Sequence, residues 1–243
     1  MSAARALALF DGFDGAVIEP APGGLINQSF LVQGPRRAVL QRVSRIFPPG
    51  IHHNIQAVTA RLAGAGLVTP ALLPARDGRL WVELDGEVWR LMTFIEGATF
   101  DVVESPAQAR AAAALVARFH TALDDLPHAF EHRRQGAHDT PRHLAKLRAA
   151  LAAHPHHRLY PQVAPLGQEI LAGAAALPPL PPLEERVCHG DLKFNNVRFA
   201  GASAPASEQA VCLIDLDTVG PLALAYELGD AWRSWCNRSG EDS

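Results

Sequence analysis

Val187-Cys188-His189-Gly190-Asp191-Leu192-Lys193-Phe194-Asn195-Asn196-Val197-Arg198-Phe199 holds the pattern H-x-D-x-x-x-x-N, with Asp191 and Asn196 five residues apart. Nineteen residues beyond Asn196, an apolar run ends in carboxylates, Leu213-Ile214-Asp215-Leu216-Asp217. Phosphoryl transfer needs this set of groups. One carboxylate orients an attacking hydroxyl and accepts its proton, while an amide oxygen and a second carboxylate hold Mg2+ against phosphate oxygens. Mg2+ takes hard oxygen ligands and keeps several waters, so one Asn and one Asp suffice. A lysine two residues after the proton acceptor can reach a γ-phosphate as a point charge. Asp and Asn are common at turns that end strands. The joint pattern of strand, polar loop, strand and I-D-x-D is what singles out the chemistry.

Upstream, Leu177-Pro178-Pro179-Leu180-Pro181-Pro182 excludes helix and central strand and reads as a stiff connector. ERVCH and AVCLID read as apolar strands framing the motif. Before the connector, Pro141 to Ala153 and Pro165 to Ala176 read as helices, and 127–140 as a polar, His-rich loop. Ser105-Pro106 is an N-cap followed by a first-turn proline. It opens an Ala-rich helix running to about Asp124, with Ala113, Leu115, Val116, Phe119 and Leu123 on its apolar face. The first 95 residues read as strands and turns around one helix. AVIEPA and FLV flank the turn PGGLINQS, and AVLQRV is a strand over Ala38 to Val43. A helix spans Ile51 to Ala65, and LWVEL and EVWRLMTFI form a hairpin about Asp85-Gly86.

Composition narrows the classes. The chain has 243 residues, 48% hydrophobic and 19% charged, so a packed core is within reach. A net charge of −3 argues against holding nucleic acid by bulk charge. The three cysteines, Cys188, Cys212 and Cys236, form no CxxC and suggest neither a disulfide framework nor a zinc site. They read as buried small residues. No apolar run is long enough to span a bilayer, and the N-terminus lacks a signal-peptide pattern, which points to the cytoplasm. Nothing in the sequence speaks to oligomeric state.

These motifs resemble the aminoglycoside phosphotransferase and choline kinase-like superfamily, which shares the protein-kinase fold. The resemblance covers nearly the whole chain. Four stretches look closest to its N-acetylhexosamine 1-kinase-like branch: Gly24 to Phe30 (GLINQSF), Leu40-Gln41-Arg42-Val43, Asn54 to Thr59 (NIQAVT) and Ile214-Asp215-Leu216-Asp217-Thr218-Val219. The resemblance implies an α+β, bilobal protein-kinase-like fold. Residues 1–95 would form an antiparallel-sheet N-lobe and residues 96–243 a mostly helical C-lobe. It implies ATP and Mg2+ as cofactors and a small polar acceptor, first of all an N-acetylhexosamine phosphorylated at its anomeric hydroxyl. It further implies that Asp191 is the catalytic carboxylate and that His189 braces its loop. Lys193 would contact the γ-phosphate. Asn196 and Asp215 would be the metal ligands, and Asp217 would add to the metal or substrate site or cap the next turn. Gly23, Gly24 and Asn27 would lie in the turn over the ATP phosphates, where thin residues let backbone N–H groups approach. Met92, Thr93, Phe94 and Ile95 would form the hinge that binds adenine.

The chain departs from this pattern in one respect. Kinase-like sites place a lysine on the third strand, paired with a helix glutamate. Here only two of 22 basic residues are lysines, Lys146 and Lys193. Arg42 is the nearest cation on the matching strand, so it is expected to hold the phosphates, with Gln41 beside it on the opposite face and taking its place if the register shifts by one residue. The helix from His52 to Ala65 has no acidic residue, which leaves Asn54 or Gln56 to orient the cation.

Other residues read more plainly. His52-His53 and the histidines at 154–157 are expected at the surface, Trp232 and Trp235 in the core, Asp230 as a brace and Asp139 as a turn or N-cap. The chain ends thirteen residues after Asp230, earlier than the branch does, so it reads as truncated, with apolar surface exposed where further helices would pack. The alternatives are a kinase for an aminoglycoside, an amino alcohol or homoserine, and a nucleotide-binding protein without activity.

Overall fold

A computed structural model describes residues 2–21, 26–132, 136, 138–178 and 183–239. Gly23 and Gly24, expected over the phosphates, lie outside these residues. Contacts divide the chain into two compact units, residues 1–134 with 185–243, and residues 135–184.

The larger unit begins with α1 (Ser2–Leu7), a helix too short to be read from periodicity. An antiparallel sheet follows, built from β1 (Val17–Pro20), β2 (Gln28–Gln33), β3 (Ala38–Val43), β4 (Leu72–Leu73), β5 (Val82–Leu84) and β6 (Glu87–Thr93). The strand order is β1-β2-β3-β6-β4, with β5 paired to β6. Asp85 and Gly86 both take positive φ, 55° and 75°, and close the β5–β6 hairpin as the D-G pair predicts. Alternation gives the sheet two faces. Leu40, Trp89 and Leu91 pack with Ala6, Leu7 and Phe10 into one core cluster. Val43 and Met92 join a second cluster.

That second cluster is built on α2 (Ile51–Gly64) and α3 (Pro106–Leu123). Ile55, Val58 and Leu62 of α2 meet Leu115, Val116, Phe119 and Leu123 of α3. Ser105 caps α3, its hydroxyl accepting the N–H of Gln108 at 3.1 Å. Ala112 takes the buried position on α3 and Ala113 is exposed, a shift of one residue from expectation. His52 is also unlike its expectation: it is fully buried, with its ring stacked 5.2 Å from that of Trp81. Burial first and the Arg90 charge second lower its pKa to about 4.

The same unit holds two short ribbons and the last helix. β7 (Glu185–Cys188) pairs with β10 (Gly220–Ala223), and β8 (Val197–Phe199) with β9 (Ala210–Leu213). α6 (Leu224–Trp235) follows. The strands that frame the motif therefore pair with other partners than each other. On α6, Trp235 donates its Nε1 to the Leu192 carbonyl at 3.0 Å, whereas Trp232 is 66% exposed and outside the core. Cys188 and Cys212 are buried and Cys236 is exposed.

The smaller unit contains α4 (Thr140–Ala153) and α5 (Tyr160–Ala176). Asp139 caps α4 by accepting the N–H of Arg142 at 3.0 Å. α5 starts earlier than its internal Pro165 suggests, because Pro161 occupies the first turn, where a missing N–H costs nothing. Gly167 lies against Leu147 and Leu151 of α4. Among the described residues, no helix is long and apolar enough to cross a membrane.

Candidate active site

The two ribbons bring distant residues together. In the β8–β9 ribbon Val197 stands opposite Leu213, and the Ile214 N–H donates to the Asn196 carbonyl at 2.9 Å. Asn196 and Asp215 therefore leave the same end of one ribbon. In the β7–β10 ribbon Cys188 stands opposite Gly220, which sets the His189-Gly190 turn against Thr218. The loop 189–196 runs from β7 to β8, and the loop 214–219 runs from β9 to β10. Thus the two motif halves become neighbouring loops.

Asp191 is half-buried, and two motif residues attend it. Lys193 Nζ lies 3.2 Å from its Oδ2. The Asn196 side-chain amide donates to the Asp191 carbonyl oxygen at 2.8 Å. That bond turns the Asn196 Oδ1 away from Asp191, and among the described residues nothing donates to it. His189 is fully buried, and its Nε2 lies 2.8 Å from the Ile214 carbonyl, so it ties one loop to the other.

Asp215 sits in the left-handed region, φ 62° and ψ 61°, ahead of a 3-10 turn over Leu216–Thr218. An L-residue held there is costly and persists only when its surroundings fix it, a mark of functional sites. Its side chain reaches solvent, yet protein crowds it on the remaining sides. This crowding first, and the Asp217 charge second, raise its carboxyl to about 6. The Arg90 charge and then His189 act in the opposite direction and Asp191 in the same one, each more weakly. The donor set fits a divalent cation: an amide oxygen without a hydrogen bond and a carboxylate whose negative charge is poorly compensated.

Asp217 is placed differently. It is 4% exposed, and the Arg90 guanidinium engages both its oxygens. Asn27 donates to the same carboxylate, and the Asn27 Oδ1 accepts the Ser44 N–H at 2.9 Å. Asp217 and Asn27 are thus bound to protein partners.

Arg42 is exposed and leaves β3 on the face of Leu40, opposite to that of Gln41. Gln41 pairs in register with Arg90 of β6, which is 1% exposed and donates its Nε to Gln41 Oε1 at 2.8 Å. The structure does not bring Arg42 together with the Asp191, Asn196 and Asp215 group. The buried cation on the Gln41 face of the sheet is Arg90, which the sequence reading missed. Asn54, named as a possible orienting amide, lies near His128 and His132 instead.

In the expected hinge, Thr93 Oγ1 accepts the Ala71 N–H at 2.9 Å. Met92 belongs to the core, and the Phe94 ring lies 3.8 Å from the Arg37 guanidinium and 5.3 Å from that of Arg198. Arg198 also donates to the Ile95 carbonyl at 2.7 Å and the Gly97 carbonyl at 2.9 Å. Gly97 has φ 126°, and a Cβ there would collide with the Phe199 carbonyl.

Helix α6 holds the loop 189–196 by its backbone. Glu227 accepts the N–H groups of His189 at 2.8 Å and Gly190 at 2.9 Å. Asp230 accepts that of Leu192 at 2.7 Å, and the Ser234 hydroxyl that of Phe194 at 2.9 Å. Burial alone would raise the Glu227 carboxyl. His120, the His189 charge and the two N–H donors outweigh it and hold the carboxyl below its usual value. Gly190 has φ 79°, and a Cβ there would lie 2.6 Å from the Thr218 carbonyl oxygen. Of these braces the sequence indicated only Asp230. A polar stripe at 227, 230 and 234, one helical face, was the signal for the others.

Residues 17–242 match the model of a phosphotransferase enzyme family. The chain belongs to that family. Solved structures similar to it include an amicoumacin kinase in complex with AMP-PNP, Ca2+ and Ami, with 13% identity and a TM-score of 0.62 over 93% of this chain and 66% of that one. An aminoglycoside phosphotransferase from Alicyclobacillus acidocaldarius gives 14% identity and a TM-score of 0.61, over 95% of this chain and 70% of the other. A microcompartment-associated aminopropanol kinase gives 20% and 0.58, over 94% and 72%. At these identities the likeness carries the fold, which is kinase-like: an antiparallel sheet with α2, followed by a mostly helical part holding the two motif loops.

Proposed function

We propose that this phosphotransferase-family chain moves the γ-phosphoryl group of ATP to a hydroxyl of a small polar molecule. The observation that supports this most is the Asp191–Asn196–Asp215 group, gathered at the ends of two ribbons with Lys193 on Asp191. In this reading Asp191 orients the acceptor hydroxyl and takes its proton. Lys193 lies beside Asp191 as a mobile positive charge for the phosphoryl oxygens. Asn196 and Asp215 would hold Mg2+, which when bound neutralises charge on the phosphates. Asp217 is then a structural anion and no metal ligand, since Arg90 occupies it. His189 joins the two loops. Gly23 and Gly24 remain expected over the phosphates and residues 92–95 against adenine, with residues 1–95 and 96–243 as the two lobes.

For the acceptor we infer an N-acetylhexosamine, from the IDLDTV, GLINQSF and NIQAVT stretches. An amino alcohol or an aminoglycoside, suggested by the names of the similar structures, is the competing reading. Turnover of ATP with Mg2+ over a panel of N-acetylhexosamines, amino alcohols, homoserine and aminoglycosides tests both. A sugar 1-phosphate product supports the first. Turnover confined to amino compounds replaces it, and no ATP binding at all refutes the phosphotransfer reading.

A further inference from the structure

The buried ion pair between β6 and the loop after β9 has no counterpart in the motif reading. The sheet carries no lysine, and α2 carries no acidic residue. Both members of the strand-to-helix pair common in kinase-like sites are therefore absent, yet the same side of the sheet holds a cation. Arg90 stands in register beside Gln41, its Nε fixed at 2.8 Å from Gln41 Oε1, and its two terminal nitrogens take both Asp217 oxygens. The partners are 127 residues apart. Asn27, just before β2, donates to the same carboxylate.

We propose that Arg90 is a positioning residue of the active site: through Asp217 it fixes, from the N-terminal sheet, the turn that carries Asp215. This rests on reading Asp215 as a metal ligand.

Three observations bear on it. Asp217 is two residues from Asp215 and inside the one-turn helix that Asp215 opens. Asp215 has a costly backbone conformation that needs outside support. A buried ion pair is weak evidence for stability, because desolvation offsets most of its attraction. What a forked guanidinium supplies is geometry: two parallel bonds fix the plane of the carboxylate. A single point charge could not do this. The anion that pairs with the sheet's cation therefore comes from the metal loop instead of α2, so the sheet holds the metal loop directly.

The test uses the full chain and three variants. The double variant Arg90→Met/Asp217→Leu removes both charges together, which avoids stranding one of them. Arg90→Lys keeps the charge and loses the fork. Mn2+ binding with AMP-PNP, followed by electron paramagnetic resonance, is read alongside thermal melting and ATP kinetics. The proposal expects folded variants that bind Mn2+ about 10- to 100-fold more weakly, the size of effect seen when a ligand's supporting partner is lost. In turnover kcat should fall with KM for ATP little changed. A purely structural role would move the melting temperature alone, so Mn2+ affinity within twofold of wild type in either folded variant overturns the proposal. Asp215→Asn separates the two readings. If it abolishes Mn2+ binding while the Arg90 variants do not, only the role of Arg90 falls. If the wild type itself binds no Mn2+ with AMP-PNP, the phosphotransfer reading falls with it.

Discussion

Asn196 donates its side-chain amide to the main-chain carbonyl of Asp191, so the amide oxygen of one motif residue is aimed by the backbone of the other. The five-residue spacing matters for this reason: the loop closes on itself before any ligand arrives. Asn196→Ala removes both the amide oxygen and the brace. Its apparent Mg2+ requirement in turnover should rise at least about tenfold, and chelation with EDTA should stop turnover in wild type and variant alike. An unchanged Mg2+ titration would take Asn196 out of the metal site.

Asp191→Asn keeps the size of the side chain and loses the proton acceptor. Turnover should drop by about 100- to 10,000-fold, the usual contribution of a positioned base. Nucleotide affinity measured by calorimetry should stay within a few-fold. Activity near wild type would remove Asp191 from its role.

Glu227 gives the protein an acid limit. Its carboxyl titrates below the ordinary value of 4.5 in the folded chain. The stabilisation it brings is complete above that value and is lost as pH falls through the lower, folded one. Urea midpoints between pH 7 and pH 3 should therefore decline in acid, and Glu227→Gln should flatten that decline. Glu227→Ala leaves two buried N–H donors without acceptors, at about 1–3 kcal/mol each. A variant as stable as wild type would contradict the bracing role.

Gly190→Ala would place a Cβ 2.6 Å from the Thr218 carbonyl oxygen on a residue with φ 79°. A left-handed alanine alone costs about 1–2 kcal/mol, and the collision adds to it. We expect a destabilised chain with depressed kcat, checked by thermal melting and initial rates.

The three thiols should separate by reactivity. Burial, the largest cause for both, pushes Cys188 and Cys212 up to about 12, and Cys236 is exposed. At pH 8 one equivalent of iodoacetamide should react quickly, at Cys236, and the other two thiols only on unfolding. Mass spectrometry after timed quenching reads this directly. Fast loss of Cys188 would mean that β7 opens readily.

Much of this was legible in the sequence where local chemistry and local structure agree. The Ser105-Pro106 start of α3, the Asp85-Gly86 hairpin and the loop from His189 to Asn196 are each specified by residues within a few positions. Arg90 was hidden because its strand, Val88-Trp89-Arg90-Leu91-Met92, reads as an apolar run with one surface arginine, and nothing local points to Asp217. The choice between Gln41 and Arg42 depended on which strand face meets the loop 214–219, a fact of sheet packing that alternation leaves open. His52 and Trp232 went the other way, polar and buried, apolar and exposed, because neighbours distant in sequence set their surroundings. β4, two residues long, and α1, six residues long, are below the length at which periodicity carries a signal.

The segment 95–97 is fastened to β8 by Arg198 and by paired backbone bonds between Ala98 and Phe199. β8 is three residues long and begins right after Asn196. At about 3.3 Å per residue it is a ruler of about 10 Å, with its zero at Asn196 and its far mark at the segment 95–97. Whatever rests against residues 93–95 is therefore measured against Asn196 along three residues of strand, without reference to the helices. Remodelling of α3 to α6 would leave that scale uncut.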